Sequence, residues 1–154
     1  MVSESRDHIE STRAPEPMGL SPAARRVGNL LFVSGIGPRK RGESRIPGVL
    51  YALDGTKVGR NIEVQLRSVC ENLRIVLEDA GSSWDRIVDV TAFLTHMAED
   101  FPTYNRVYAE LFADVRPART TLGITALPSP IDVELKVIAT IDPARRPTPA
   151  RTRP

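Results

Sequence analysis

The segment 61–80 constrains the fold of this chain most, because its apolar residues recur at every third or fourth position. This spacing places them on one face of an α-helix and leaves the charged residues on the other faces. Asn61 is a suitable N-cap and Gly81 a suitable C-terminal stop. A helix of this length has to bury its apolar face, so the rest of the chain must supply a surface for it to cover.

Short apolar and alternating segments predict that this surface is a β-sheet. Residues 30–33 form an apolar run that ends at Ser34-Gly35, and residues 86–95 and 131–139 alternate between apolar and polar side chains. A second helix is predicted to begin at Asp100, with Pro102 in its first turn. The order of these segments predicts an α+β domain, a mixed sheet with both helices on one face. A sheet covered on one side also favours association with other subunits.

The connection 38–59 is long and polar, and the sequence allows two interpretations of it. It is either a functional loop or a hairpin built on the turn signal Asp54-Gly55. Its basic cluster, Arg39, Lys40 and Arg41, is a solvated surface unless an anionic ligand binds nearby.

The two ends of the chain lack apolar periodicity. We expect residues 1–17 to be a flexible arm, residues 18–142 to form the domain, and residues 143–154 to be a disordered tail. The formal net charge is +2, but the tail holds four arginines and no acid, so the rest of the chain is net acidic. Nucleic-acid binding by the domain is therefore not expected.

Several other classes of protein are disfavoured by composition. Cys70 is the one cysteine, which excludes an internal disulfide and a multi-cysteine zinc site, and His8 and His96 lack ligand spacing. We expect no metal site. No apolar run approaches the roughly 20 residues that cross a bilayer, and the first residues do not resemble a signal peptide. We therefore expect a cytoplasmic protein that does not bind a membrane.

The stretch 119–139 carries the strongest indication of chemistry. It is predicted to be two antiparallel strands joined by a tight turn at 127–130, with Arg119 opening the first strand and Glu134 inside the second. On neighbouring strands these two side chains could share one small site. Arginine grips a carboxylate through two hydrogen bonds, and a glutamate can relay protons from water. The alternative is a surface glutamate that pairs with a lysine or arginine, and spacing alone does not exclude it.

Segments distributed over residues 18–139 together resemble one known family. They are residues 28–35, 87–94, 104–108, 117–121 and 133–134, with Gln65 and Asn72 in the helix. In this order they resemble the Rid (YjgF) family of enamine/imine deaminases. The resemblance implies a chorismate-mutase-like fold, a homotrimer, and an active site in each cleft between subunits.

The resemblance also implies roles for individual residues. Arg119 would grip the carboxylate of a small-molecule substrate, and Glu134 would place the hydrolytic water together with the backbone near Thr121. The pocket would be lined by Ser34, Gly35 and Asn105. Two positions depart from many imine-hydrolysing members, because Ser21 stands where they have tyrosine and Thr121 where they have cysteine.

The basic loop, residues 1–5 and the variant Arg119-Thr120-Thr121 are similar to the 2-aminomuconate deaminase branch, which acts in aromatic-compound degradation. The implied reaction is hydrolytic deamination of 2-aminomuconate to 4-oxalocrotonate, a 2-keto acid, and ammonia, and it is expected to need no cofactor. This substrate carries two carboxylates, so it would need a second cation. Our hypothesis is that Arg39, Lys40 or Arg41 supplies it.

Two other functions fit the same resemblance. The first is a general deaminase of reactive imines. The second is a non-catalytic member that binds small acids or associates with RNA. The presence of both Arg119 and Glu134 favours an enzyme, because a protein that only binds has little use for a carboxylate that places water.

Overall fold

The computed structural model describes residues 7–142. The predicted tail, residues 143–154, and the first six residues of the predicted arm lie outside this range. The described residues form eight strands, two α-helices and a short 3₁₀ turn. In chain order the strands and helices are β1 (His8–Ile9), β2 (Ala24–Val27), β3 (Leu30–Ile36), β4 (Val49–Tyr51), β5 (Lys57–Arg60), α1 (Ile62–Asp79), β6 (Ile87–Leu94), α2 (Met97–Phe112), β7 (Ala118–Gly123) and β8 (Val133–Thr140).

Six of the strands form one mixed sheet in the order β1-β2-β3-β8-β6-β7. All neighbours in it are antiparallel except β6 and β7, which run parallel and are connected through α2. Alternate residues of β3, β6 and β8 are fully buried and form one core with the apolar faces of both helices. The predicted α+β class, with two helices on a mixed sheet, is confirmed.

Helix α1 matches its predicted bounds. The side chain of Asn61 accepts a hydrogen bond from the backbone N–H of Val64 at 3.1 Å, as an N-cap does. Gly81 adopts a φ of 82°, in the left-handed region that ends many helices. Leu66, Val69 and Leu73 are fully buried.

Helix α2 begins at Met97, three residues before the predicted start. The backbone N–H of Asp100 already donates to the carbonyl of His96 at 2.9 Å, so the first turn precedes Pro102. Glu99 and Asp100 lie in this turn, where the helix dipole favours negative charge. The prediction gave the proline more weight than these acids.

The predicted hairpin between β7 and β8 is wrong. Strand β6 lies between them and pairs with both, so that Arg119 is opposite Val90 while Glu134 is opposite Phe93. The turn signal at 127–130 belongs to a longer connection, residues 124–132, which carries the chain past the end of β6. A local turn signal reverses the chain direction, but it does not determine which strand lies alongside.

The connection 38–59 contains the hairpin that one of its two interpretations predicts. Strands β4 and β5 pair around the turn at Asp54-Gly55. The carboxylate of Asp54 accepts the backbone N–H of Thr56 at 3.0 Å, and Gly55 has a φ of 86°.

The described part of the N-terminal arm packs on the domain. Strand β1 pairs with β2, and Ala14 is buried. Arg41 donates to the backbone carbonyls of Ser11 and Ala14 and to the carboxylate of Glu16, at 2.7–2.9 Å. Contacts with a distant arginine hold this segment, and such contacts leave no periodic pattern in the sequence.

Asp132 precedes β8 and connects four parts of the fold. It is almost fully buried, and its carboxylate accepts hydrogen bonds from Lys57 of β5 at 2.7 and 2.9 Å, from Gln65 of α1 at 2.8 Å, and from Thr95 at 3.0 Å. Burial acts to raise the pKa of this carboxyl, but the bonds from Lys57, Gln65 and Thr95 outweigh it and hold the pKa below its usual range.

Replacing Asp132 with alanine should lower the free energy of unfolding by about 3 kcal/mol, because Gln65 and Lys57 lose their charged partner. Urea unfolding at neutral pH measures the loss. The matched control is Glu71→Ala, which removes the exposed partner of Lys40 and should cost at most about 0.5 kcal/mol. Equal effects of the two substitutions would contradict the prediction.

The same carboxyl predicts a pH dependence. Since the pKa of Asp132 is lower in the folded state than in the unfolded state, its contribution is fully present above the unfolded pKa and is lost as pH falls through the folded pKa. Wild-type stability should therefore fall more steeply below about pH 4 than that of Asp132→Asn.

Candidate active site

Arg119 lies on β7, at the edge of the sheet, and faces α2. Its Nη1 atom donates to Oδ1 of Asn105 at 2.8 Å, and its guanidinium carbon lies 4.7 Å from the ring centre of Tyr108 and 5.7 Å from that of Tyr104. Within residues 7–142 no carboxylate forms an ion pair with this guanidinium. The aromatic rings and Asn105 orient the cation without neutralising it, which leaves its charge available to an anionic ligand.

Thr121 lies two residues along the same strand and faces the same helix. Its Oγ1 atom is 2.9 Å from the hydroxyl of Tyr104, which is fully buried. Burial raises the pKa of Tyr104, and the bond to Thr121 and the charge of Arg119 partly offset that effect. The Thr121 hydroxyl is therefore hydrogen-bonded to Tyr104 and lies next to Arg119. A cysteine at this position would place a thiol there instead.

Tyr104 and Tyr108 contribute to this surface in a way that apolar periodicity did not indicate. The spacing of α2 assigns both rings to the core, and both are buried there. They also form the support beneath Arg119. The hydroxyl of Tyr108 is buried and has no hydrogen-bond partner among the described residues. The sequence indication of this second role was the short spacing between Tyr104, Asn105 and Tyr108, which places the three residues close together along α2.

Glu134 lies on the other face of the sheet. Its neighbours Val133 and Leu135 are fully buried against the helices, so the Glu134 side chain points away from them. It is half-buried, and burial raises the pKa of its carboxyl, while the charge of Arg39 acts in the opposite direction. A raised pKa shifts the proton exchange of this carboxyl towards neutral pH, which suits a group that accepts a proton and returns it.

Ser34 and Gly35 lie beside Glu134 at an irregularity in β3, where the pairing register with β8 shifts. The Ser34 hydroxyl donates to the carbonyl of Pro22 at 2.8 Å. A Cβ atom at Gly35 would overlap the Glu134 carboxylate, so only glycine allows this close approach. The two residues therefore shape the space around the carboxylate.

A cavity of about 240 Å³ opens next to Glu134. Its lining includes Ser34, Gly35 and Arg39, and residues 14–17 of the arm together with Met18, Gly19 and Ser21 form another wall. Pockets for drug-sized ligands usually span about 300–1,000 Å³. The cavity is slightly smaller than these pockets, so it is of a size for a small molecule.

The three residues of the basic cluster have separate roles. Arg39 lines the cavity. Lys40 bonds to Glu71 at 2.8 Å and to Asn72 at 3.2 Å, both on α1. Arg41 holds the arm. Of the three, Arg39 alone is brought to Glu134.

Arg119 and Glu134 do not share a site within one chain, contrary to the prediction from a hairpin. They lie on opposite faces of the sheet and two strands apart, which separates their backbones by about 10 Å or more. The chain therefore carries two partial sites. One is the cation surface, defined by Arg119, Thr121, Asn105, Tyr104 and Tyr108, and the other is the carboxylate cavity around Glu134.

Other reactive groups are few in the part of the chain that the structure describes. Burial raises the pKa of Cys70 to about 12, so its thiol stays protonated. No group of three or more histidine, cysteine, aspartate or glutamate side chains within residues 7–142 could hold a metal ion. Across the same residues, neither helix combines the length and the apolar composition that crossing a bilayer requires.

Comparison with known proteins adds to this geometry. A RutC family protein of Pyrococcus horikoshii is 35% identical over 85% of this chain and 94% of its own length. Reactive Intermediate Deaminase A of the Arabidopsis thaliana chloroplast is 30% identical over 90% of this chain and 68% of its own length. The crystal structure of Escherichia coli TdcF with bound serine is 28% identical, with a TM-score of 0.72, and the match covers 86% of this chain and 97% of that one.

The family model described as endoribonuclease L-PSP matches residues 11–141, which include both partial sites. The chain therefore belongs to the endoribonuclease L-PSP family, also known as the Rid (YjgF/RutC) family.

Proposed function

We propose that this protein is a hydrolytic deaminase of enamine and imine carboxylic acids, and that its active sites form between subunits of a homotrimer. The observation that carries the proposal is the separation of the two partial sites. An oriented arginine without an ion pair among residues 7–142 lies on one surface, and a carboxylate with a raised pKa lies beside a cavity on another. The arginine can bind the substrate carboxylate, and the carboxylate can transfer the protons of water. Hydrolysis of such an acid needs both functions.

Association would bring the cation surface of one subunit to the carboxylate cavity of the next. Leu30, Phe32 and Leu122 project from the sheet face opposite the helices and are 36%, 36% and 43% exposed. A second copy of the chain on this face would cover these apolar side chains. The mass in solution, measured by light scattering, should be three times the 17.0 kDa of one chain.

The proposed reaction needs two protein groups. After an enamine tautomerises to its imine, Arg119 holds the carboxylate beside the C=N carbon and draws electron density from it. Glu134 accepts a proton from water as the water oxygen bonds to that carbon. Glu134 returns this proton to nitrogen, which gives a carbinolamine. It then transfers the remaining proton of the added water from the hydroxyl oxygen to nitrogen as the C=O bond forms and the C–N bond breaks, so that a 2-keto acid and ammonia leave. One water is consumed, and no electrons are transferred.

The names of the relatives support this class of reaction. The chloroplast relative is called a reactive intermediate deaminase, and serine, which is bound in the TdcF structure, is a small amino acid. Our first choice of substrate is 2-aminomuconate, on the sequence resemblance described above. The alternative is a general deaminase of imines from ordinary amino acids, which the name of the chloroplast relative favours.

Ammonia release distinguishes these substrates. The enzyme is supplied with 2-aminomuconate and, separately, with imines formed in place from ordinary amino acids by an amino-acid oxidase. A higher kcat/KM on 2-aminomuconate supports the specific function, and an equal or lower value supports the general one. Failure to accelerate ammonia release from any of them would contradict a deaminase.

A further inference from the structure

Arg39 is a cation at the carboxylate cavity. Its Nη2 atom donates to the backbone carbonyl of Glu16 at 2.9 Å. Among the described residues no carboxylate forms an ion pair with it. It is half-buried, and it is close enough to Glu134 for its charge to act on that carboxyl. A guanidinium held in this way is ready to bind an anion through its remaining donors.

The arm keeps Arg39 in position. Arg41 donates to the carbonyls of Ser11 and Ala14 and to the carboxylate of Glu16, so the segment that carries the Glu16 carbonyl is fixed by three hydrogen bonds. That carbonyl in turn accepts from Arg39. The guanidinium therefore has a defined orientation before any ligand arrives, which lowers the entropy cost of binding.

The neighbouring cations do not offer the same function. Lys40 pairs with Glu71 on α1, and the donors of Arg41 are occupied by the arm. A second anionic group on a ligand in the cavity would therefore meet Arg39. Without that cation, the same group would lie next to the Glu134 carboxylate and be repelled by it.

We propose that Arg39 forms a subsite for a second carboxylate, so that the enzyme prefers dicarboxylic enamine and imine acids over monocarboxylic ones. This subsite rests on the proposed function. The reacting carbon lies at Glu134, the carboxylate next to it at Arg119 of another subunit, and the distal carboxylate at Arg39. The distance between the two carboxylates, rather than the identity of the amine, then selects the substrate.

Binding of two unreactive probes tests the subsite independently of catalysis. Muconate and sorbate share a six-carbon diene chain, but muconate has a carboxylate at both ends and sorbate at one. By titration calorimetry, wild-type protein should bind muconate at least about 10-fold more tightly than sorbate, as one charge-assisted hydrogen-bond pair provides. Arg39→Gln should remove this preference by weakening muconate alone.

Two further variants separate charge from structure. Arg39→Lys retains the charge and should keep part of the preference, while Lys40→Gln should keep all of it. A wild-type protein without preference for muconate, a preference that survives in Arg39→Gln, or equal weakening of both probes would overturn the subsite. If the subsite binds muconate as expected but no imine or enamine is hydrolysed, the proposed function fails while the subsite stands.

Kinetics give a second readout if the protein is a deaminase. At a pH where Glu134 is ionised, Arg39→Gln should raise KM for 2-aminomuconate about 10-fold or more and lower kcat/KM for this substrate more than for a monocarboxylic imine. The control Lys40→Gln should leave both values within about twofold. The acid limb of the pH profile should also move to higher pH, because the charge of Arg39 lowers the pKa of Glu134. A loss of kcat on both substrates would instead show that Arg39 acts through Glu134, and would overturn the subsite.

Discussion

Replacing Arg119 with alanine is expected to lower kcat/KM for ammonia release by about 10³-fold, roughly 4 kcal/mol of transition-state stabilisation. The guanidinium of Arg119 supplies the positive charge of the cation surface and binds the substrate carboxylate in the proposed reaction. Asn105 and two tyrosine rings orient it, and it forms no ion pair among the described residues. Removing it leaves the substrate carboxylate without a partner and the C=N carbon less electrophilic. Ammonia release under steady-state conditions measures the loss.

The substitution should lower activity without lowering the stability of the fold, because Arg119 is exposed at the sheet edge. Its variant should keep the wild-type melting temperature to within a few degrees. Arg119→Lys retains the charge but not the two-pronged geometry, and we expect it to recover only part of the activity. Asn105→Ala should cost about 10-fold, since it loses the acceptor that orients Nη1. Wild-type turnover in Arg119→Ala would refute the assigned role.

Replacing Glu134 with glutamine is expected to lower kcat by about 10²–10⁴-fold while leaving the binding of a product-like keto acid intact. Glutamine has nearly the same shape but cannot accept the proton of water. Glu134→Asp, which keeps a shorter carboxylate, should retain more activity than glutamine. Equal activity of the wild type and the glutamine variant would exclude Glu134 as the proton-transfer group.

The pH dependence of turnover reports the same carboxyl. Burial raises the pKa of Glu134 above its ordinary value of 4.5, and Arg39 only partly opposes this. Since the ionised form accepts the proton, kcat/KM should fall as pH is lowered through this raised pKa. The acid limb should therefore lie above pH 4.5, and an acid limb at or below it would contradict the role of the buried carboxylate.

Local patterns predicted much of the architecture. The three- and four-residue periodicity of α1 and the cap at Asn61 correspond to the helix observed. The alternation identified the buried face of β8 and most of that of β6, but Val88, which it assigns to the same face, is exposed at a shift in the strand register. These predictions depend on residues close in the chain, whose spacing directly determines which face they share. The start of the second helix was predicted less well. The prediction relied on Pro102 in the first turn and not on the acidic residues before it, and the helix begins three residues earlier.

Predictions that depended on distant residues were less complete. The sequence identified Arg119 and Glu134 but placed them on adjacent strands, whereas β6 separates them. It also gave no indication that residues 8–9 pair with β2 or that Arg41 donates hydrogen bonds to the carbonyls of Ser11 and Ala14. Neither outcome follows from periodicity, because strand order and long-range hydrogen bonds depend on the energy of the whole packed domain.

By itself, the sequence determined the α+β class and the apolar faces of the helices and strands, and it identified Arg119 and Glu134 as candidates for binding an acid and transferring the protons of water. Only the tertiary structure decided that the arginine and the glutamate lie on separate surfaces, and that Arg39 alone of its basic cluster reaches the carboxylate cavity. The physical reason is that side-chain chemistry and periodicity are local properties. The distance between two side chains depends instead on which strands become neighbours and on which charges are already paired.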